Sequence, residues 1–418
     1  MRAEVKWILS NPEIIDEVFE KFVNNCDIFI NREVLRHDYL PERLPHREKT
    51  IRRLAETVAP VLKSARCSNA FLYGKTGTGK TAVTKYVLNR LEIKAKQFEA
   101  SVRICYVNCR LAGTKYRVFS KLCQSLGGHI PFTGLSVGEV FDRLRLCLES
   151  VSIIFVVVLD EIDALIKARG DNILYELLRI NEMLTDSKVS LVGISNDLRL
   201  KEFLDSRVLS SLSEEEIVFK PYDAEELRNI LADRAQLAFY DTALTDGALS
   251  LCAALAAAEH GDARRALDLL RVAGEVAERY GAEFIEEEHV RDAERHIEHN
   301  RTVEALRTLT LHLKLVLLSL FHLGQADVQR GTTGEIYEVY NDLCGELGTG
   351  PLTQRRVSTL INELDSLGLL NAKVISRGRY GRTKRIRLEV ARPLLKKVFS
   401  EDSRVKDLVG YKLKGSSC

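Results

Sequence analysis

The residues best suited to chemistry form one run, Gly74-Lys75-Thr76-Gly77-Thr78-Gly79-Lys80-Thr81. It satisfies G-x-x-x-x-G-K-[ST] at every fixed position. The preceding "AFLY" reads as a short apolar strand and the following residues as a helix, the setting in which this pattern is a phosphate loop. Its glycines let the backbone wrap an anion with N–H groups, and the helix N-terminus adds a positive dipole. Lys80 would reach the β- and γ-phosphates of ATP, and Thr81 would ligate Mg²⁺.

A second run, "VVVLDEID", supplies the acids. Asp160 falls at the end of an apolar strand, where it can hold a Mg²⁺ shell. Glu161 can orient and deprotonate an attacking water. Asp163 reads either as a further acid of the site or as the cap of the next helix. "GISND" puts Asn196 after another strand, within reach of a γ-phosphate or of that water. Arg207, in "LDSRV", is either a transition-state phosphate contact or half of a surface ion pair. In "HGDARRAL", Asp262 reads as an N-cap. Arg264 lies in the first turn and could reach back over the phosphates, whereas Arg265 is expected in solvent.

These residues need a scaffold that brings them to one edge. Between Asn69 and Tyr222, "AFLYG", "VRICYVNC", "IIFVVVLDE" and "KVSLVGISN" read as strands separated by helical patterns. That alternation implies an α/β fold whose parallel sheet gathers a site at its carboxyl ends. Residues 11–24 predict an amphipathic helix with Ile14, Ile15, Val18, Phe19, Phe22 and Val23 on one side. A Pro-punctuated connector follows, from Arg36 to Glu48. The expected division is an N-terminal helix and linker (1–47), a nucleotide-binding domain (48–222), a helical lid (223–300) and a third domain (301–418).

The third domain predicts three helices: Lys314–Gly324, Thr332–Gly348 and about Thr353–Leu367. In the last, Val357, Leu360, Ile361 and Leu364 form an apolar stripe. Opposite lie Arg355, Thr359 and Asn362, with Arg356 and Ser358 alongside, groups suited to phosphates and base edges. "LLNAKVISRGRYGRTKRIRLEV" then reads as a β-hairpin. Lys373, Arg377, Arg379, Arg382, Lys384, Arg385 and Arg387 lie in it with no acid between Ala372 and Leu388. Three helices and a basic hairpin make a winged helix, whose third helix would enter a major groove while the hairpin follows the backbone or minor groove.

Charge distribution agrees. Residues 301–418 hold 20 Lys+Arg against 12 Asp+Glu, although the whole chain is only +2. A polyanion should therefore dock at that end. The longest apolar run, Ile153–Leu159, is far short of the ~20 residues that span a bilayer, which excludes a membrane role of that kind. Acids throughout the N-terminus argue against a signal peptide. The nine cysteines lack metal-type pairing and are expected as buried thiols of a reducing cytosol.

The phosphate loop, Asp-Glu strand end, Asn196, loop arginine and lid arginine together resemble the AAA+ family from about Arg36 to Asn300. "YLPERLPHRE", "GKTGTGKTAV", "PFTGLSVGEV", "LDEID", "GISND", "EEEIVFKPYDAEELRNIL", "GDARRALDLLRVAGEVAE" and the terminal winged helix, in that order, resemble the archaeal replication initiators. These are related to the eukaryotic origin recognition complex and its cell-division-cycle loader partner. The resemblance implies recognition of double-stranded origin DNA and a part in loading the replicative helicase. ATP or ADP would act as a switch with slow hydrolysis, and further initiator copies would be partners. It also implies that Tyr222 and Arg234 contact the nucleotide and that Arg264 is the lid sensor. A helical insertion in the region of Tyr116–Arg145, to which "KYRVFSKL" with Lys115 and Arg117 belongs, would contact DNA. Where some relatives carry a further arginine four residues beyond Arg207, this chain has Ser211. An AAA+ motor of the branch-migration class and an ATP-regulated winged-helix transcription regulator share the same parts. Rings with fast DNA-stimulated turnover would mark the first, and promoter occupancy the second.

Overall fold

In a computed structural model of the chain, residues 28–212, 215–325, 331–376 and 382–411 are described, together with Asp16 and Phe19. The predicted N-terminal helix lies otherwise outside them, as do Arg377 and Arg379. The chain divides into two compact units, 1–293 and 294–418.

The first unit is built on five parallel strands: β1 (Ala70–Gly74), β2 (Val102–Asn108), β3 (Ile154–Asp160), β4 (Lys188–Ser195) and β5 (Glu215–Phe219). Their spatial order is β2-β3-β4-β1-β5. β3 is buried along its whole length. Phe155, Val157 and Leu159 enter one core with Phe71 and Tyr73, whereas Ile154, Val156 and Val158 enter the other with Ala70 and Leu72. Period-two alternation with apolar residues on both faces is what a strand covered by helices on each side requires. Each large side chain so buried contributes roughly 1.5–3 kcal/mol. β5, missing from the four strands expected, is the edge strand beside β1. Its two leading glutamates and exposed Val218 gave no apolar run to read.

Crossover helices connect the strands. α1 (Glu48–Val58) precedes the sheet and begins where the connector's prolines end. α2 (Lys80–Gln97) leaves the phosphate loop. After β2 come α3 (Cys109–Ala112) and an inserted pair, α4 (Lys115–Ser125) and α5 (Val137–Glu149), capped by Thr114 and Ser136. α6 (Ile162–Arg169) and α7 (Asn172–Arg179) follow β3, and α8 (Ser206–Leu212) precedes β5.

Helices α9 (Ala224–Ala238), α10 (Asp246–Ala258) and α11 (Ala263–Tyr280) form the lid. Asp223 and Glu226 make a reciprocal capping box at the start of α9. α12 (Glu287–Thr308) follows.

The second unit contains α13 (Leu311–Gln325), β6 (Gly331–Thr332), α14 (Thr333–Glu346), α15 (Gln354–Ser366), β7 (Leu370–Ser376), β8 (Arg382–Leu388) and α16 (Arg392–Glu401). The three expected helices and the hairpin are present. β6 pairs with the outer side of β8, giving the order β6-β8-β7. Val357, Leu360, Ile361 and Leu364 are buried as their periodicity demands. Buried Lys314 is held by Asp402 at 2.5 Å and by the Arg307 carbonyl at 2.9 Å, so its charge is paired rather than orphaned.

Among the described residues, no single helix is long and apolar enough to cross a membrane. Gly193 of β4 marks a close approach. A Cβ there would lie 2.4 Å from the Phe71 ring, which leaves no room for a methyl group. Gly193→Ala should therefore destabilise the first unit by about 1–3 kcal/mol. The check is the urea midpoint of that unit's unfolding transition, which should fall.

Candidate nucleotide site and DNA-facing surface

The phosphate loop joins the end of β1 to the start of α2. Gly77 and Gly79 have φ of +70° and +89°, values that a side chain would strain. Space is equally restrictive. A Cβ on Gly79 would meet the Tyr222 hydroxyl at 2.8 Å, and one on Gly77 would fall inside the Asp262 carboxylate. Lys80 is buried, and its ammonium donates to the carbonyls of Gly74 (2.8 Å) and Lys75 (2.6 Å). Burial holds it down at about 8, against a weaker upward pull from Asp160.

Thr81 and Asp160 come together as expected, the Thr81 hydroxyl donating to Asp160 Oδ2 at 2.8 Å. Sequence reasoning missed Tyr106, whose hydroxyl also donates to Asp160 Oδ2 from neighbouring β2. The parallel register pairing Asn108 with Asp160 brings that strand alongside. Glu161 sits at φ +51°, a costly position for a non-glycine residue, at the turn from β3 into α6. Asp163 does not cap α6. Its Oδ1 accepts the backbone N–H of Asn196 at 3.1 Å and so ties the end of β4 to the α6 turn. The helix cap position is already taken by Glu161, which leaves the Asp163 carboxylate free to cross to the neighbouring strand.

A cavity of about 740 Å³ opens over this loop. Its walls include Thr81, Asp160, Glu161, Asn196, Tyr222, Arg234 and Arg264. One whole wall is residues 36–45, the stretch that reads in sequence as a mere connector. Arg234 holds that wall, donating to the carbonyls of Val34 (2.9 Å) and Tyr39 (3.3 Å) with its guanidinium over the Tyr39 ring. Arg47 is the second residue that the sequence did not disclose. Its buried guanidinium lies 3.7 Å from the Tyr222 ring centre and donates to the carbonyls of Thr78 (3.0 Å), Lys220 (2.8 Å) and His46 (3.0 Å). It fastens the phosphate loop to the chain leaving β5.

The lid touches the loop directly. The Ala263 N–H at the start of α11 donates to the Gly77 carbonyl at 3.1 Å, and Asp262 caps α11 by accepting from Arg264 and Arg265. Arg264 lines the cavity. Arg265 is not in solvent. It is buried and paired with Glu259 at 2.8 Å, because its position on α11 points into the lid core. Arg207 is exposed, paired with Asp205 at 3.1 Å, and does not line the cavity.

Lys115 turns inward to Glu176 at 2.5 Å and over the Phe119 ring, while Arg117, two residues on, is exposed. In the second unit Arg355, Arg356, Thr359 and Asn362 are all exposed on α15. Lys384 of β8 donates to Asn362 Oδ1, which joins the helix to the hairpin. Arg382 belongs to β8, but its side chain lies outside the described residues. Lys373 stands directly opposite Arg385 in the hairpin register, both exposed. Like charges so placed repel, and an anion lying along them relieves the repulsion.

Sheet order, phosphate loop and lid place the chain among the AAA+ nucleotide-binding proteins, here with a winged helix in the second unit. Family profiles described as an AAA domain, the Cdc6 AAA+ ATPase-type lid domain and the CDC6 C-terminal winged helix domain match residues 64–201, 228–295 and 304–398. The chain is 49% identical over 407 residues to an ORC1-type DNA replication protein of Thermococcus kodakarensis, covering 96% of this chain and 98% of the relative. It is 51% identical over 398 residues to ORC1-type DNA replication protein 1 of Sulfurisphaera tokodaii, covering 95% and 99%. The ORC1 protein of Aeropyrum pernix, solved in complex with DNA, superposes with a TM-score of 0.82 at 51% identity, over 91% of this chain and 99% of that one. The chain belongs to the ORC1/Cdc6 family of DNA replication proteins.

A phosphate group beside Lys80 would draw its pKa upward from about 8. Nucleotide binding at pH 8.5 should therefore take up a proton, and affinity should fall by up to about tenfold per unit as pH rises further. Calorimetric titrations in buffers of different ionisation enthalpy check this, with Lys80→Arg, which stays charged, showing no such uptake.

Proposed function

We propose that this protein initiates replication by recognising double-stranded origin elements and helping to load the replicative helicase, with bound ATP or ADP setting its state. It would act in the cytoplasm, on the nucleoid, with other initiator copies as partners. The observation that carries the DNA reading is the surface of the second unit. An exposed stripe of Arg355, Arg356, Thr359 and Asn362 lies on α15, and the adjoining hairpin sets Lys373 opposite Arg385. A solvated face would normally intersperse acids. The DNA-bound state of the Aeropyrum pernix relative supports the same assignment. The exposed Arg117 on α4 offers a second DNA contact, and Lys115 would serve it only by leaving Glu176.

For the nucleotide, the cradle fits. Its glycines admit no side chain, and buried Lys80 stands at the loop. The adjacent Thr81 hydroxyl and Asp160 carboxylate are the donors that would hold Mg²⁺, which when bound neutralises phosphate charge. Glu161 would orient and deprotonate the attacking water, Asn196 would hold that water or the γ-phosphate, and Arg264 would reach the phosphates from the lid. Tyr222 would border the nucleotide, and Arg234 would act through the wall it holds. Arg207, exposed, paired with Asp205 and outside the cavity lining, fits the surface ion pair better than a phosphate contact.

Two outcomes test this reading. Glu161→Gln should retain ATP while hydrolysis falls about 10²–10⁴-fold in single-turnover assays. Replacing Arg379 and Arg382 together by Ala should lower the slope of log affinity against log salt by about 2 for origin duplex, one unit per lost phosphate contact. Equal affinity of the unaltered protein for origin and scrambled duplex would overturn origin recognition.

A further inference from the structure

The inserted pair α4 and α5 carries two thiols that the nucleotide and DNA readings leave unused. Cys123 lies near the end of α4 and Cys147 near the end of α5, with their sulfurs 3.4 Å apart. A disulfide needs about 2.05 Å, roughly 1.4 Å less than this separation. The surroundings suit closure of that gap. Gly128 crosses directly over the pair, where a Cβ would fall 2.3 Å from the Cys123 sulfur and 2.7 Å from that of Cys147. Only glycine can cover both sulfurs there. Cys123 is buried, but Cys147 is partly exposed beside exposed Leu146 and Ser150. Cys67, Cys105, Cys109, Cys252 and Cys344 are buried as well.

We propose that Cys123 and Cys147 are a reversible oxidation site, closed to a disulfide by a small-molecule disulfide and reopened by thiols. Cys147, the reachable partner, attacks one sulfur of the small disulfide and releases the first small thiol. Burial and the Cys147 thiol push the Cys123 thiol up to about 12, so it attacks the Cys147 sulfur of the mixed disulfide as its proton passes to the departing small thiolate, which leaves as the second thiol. Two protein thiols are oxidised and one small disulfide is reduced to two thiols, so electrons and protons balance. The bond joins positions 24 residues apart and fixes the tilt of α4 against α5. The span includes the loop that exposes Phe132 at 96% of its surface. This chemistry does not depend on what α4 touches.

The test is to equilibrate the full chain with oxidised glutathione, block residual thiols and map tryptic peptides without reduction. Peptides 122–143 and 146–167 should appear cross-linked and separate again after dithiothreitol. The oxidised protein should melt roughly 5 °C higher than the reduced one. Cys147→Ser should abolish both the cross-link and the gain in melting temperature. Finding Cys123 and Cys147 as free thiols, or Cys147 as a lasting glutathione adduct, would overturn the proposal.

Discussion

A phosphate loop must turn its N–H groups toward an anion, and so it forgoes the hydrogen bonds that would otherwise hold a backbone in place. This constraint organises the first unit, because the loop has to be fixed from outside. Arg47 takes the Thr78 carbonyl, the α11 N-terminus takes the Gly77 carbonyl, and Lys80 takes those of Gly74 and Lys75. All the loop's outward carbonyls so engaged face protein, which leaves the N–H side for ligand. The demand for glycine has the same origin, since Tyr222 and Asp262 crowd the loop at the distances where a Cβ would stand.

The same clamps tie the loop to the rest of the unit. The lid is bonded to the loop through Ala263 and Gly77, and Tyr222 N–H donates to the Gly261 carbonyl just before α11. A change of loop geometry therefore acts on the first turn of α11 without an intermediary. Residues 36–45 are coupled to α9 through Arg234. The cavity thus has walls from three segments that are remote in sequence but joined by the guanidinium groups of Arg47 and Arg234 and by backbone hydrogen bonds at the start of α11.

What could be read in the sequence was local. The phosphate loop, Asp160, Glu161 and the apolar stripe of α15 are patterns within a few residues, and short-range geometry decides them. What could not be read was partner choice across the chain. Tyr106 finds Asp160 over 54 residues, Lys115 finds Glu176 over 61, and Arg234 finds Val34 over 200. Arg264 and Arg265 differ by one position on a helix, and only the direction of α11 separates a cavity wall from a buried ion pair. The connector 36–48 hid its role because prolines announce an extended path but not what the path lies against. β5 escaped notice because an edge strand needs little apolar content.

Arg47 has a further consequence. Its guanidinium is satisfied by three carbonyl oxygens and lies against the rings of Tyr222 and Phe219. Carbonyl dipoles hold a charge without cancelling it, and burial keeps bulk water from screening it. The Glu226 and Glu48 carboxylates offset part of that charge, and the remainder is a standing source of positive potential behind the loop. A polyphosphate approaching the cavity meets part of its counter-charge already desolvated, so that cost was met when the protein folded.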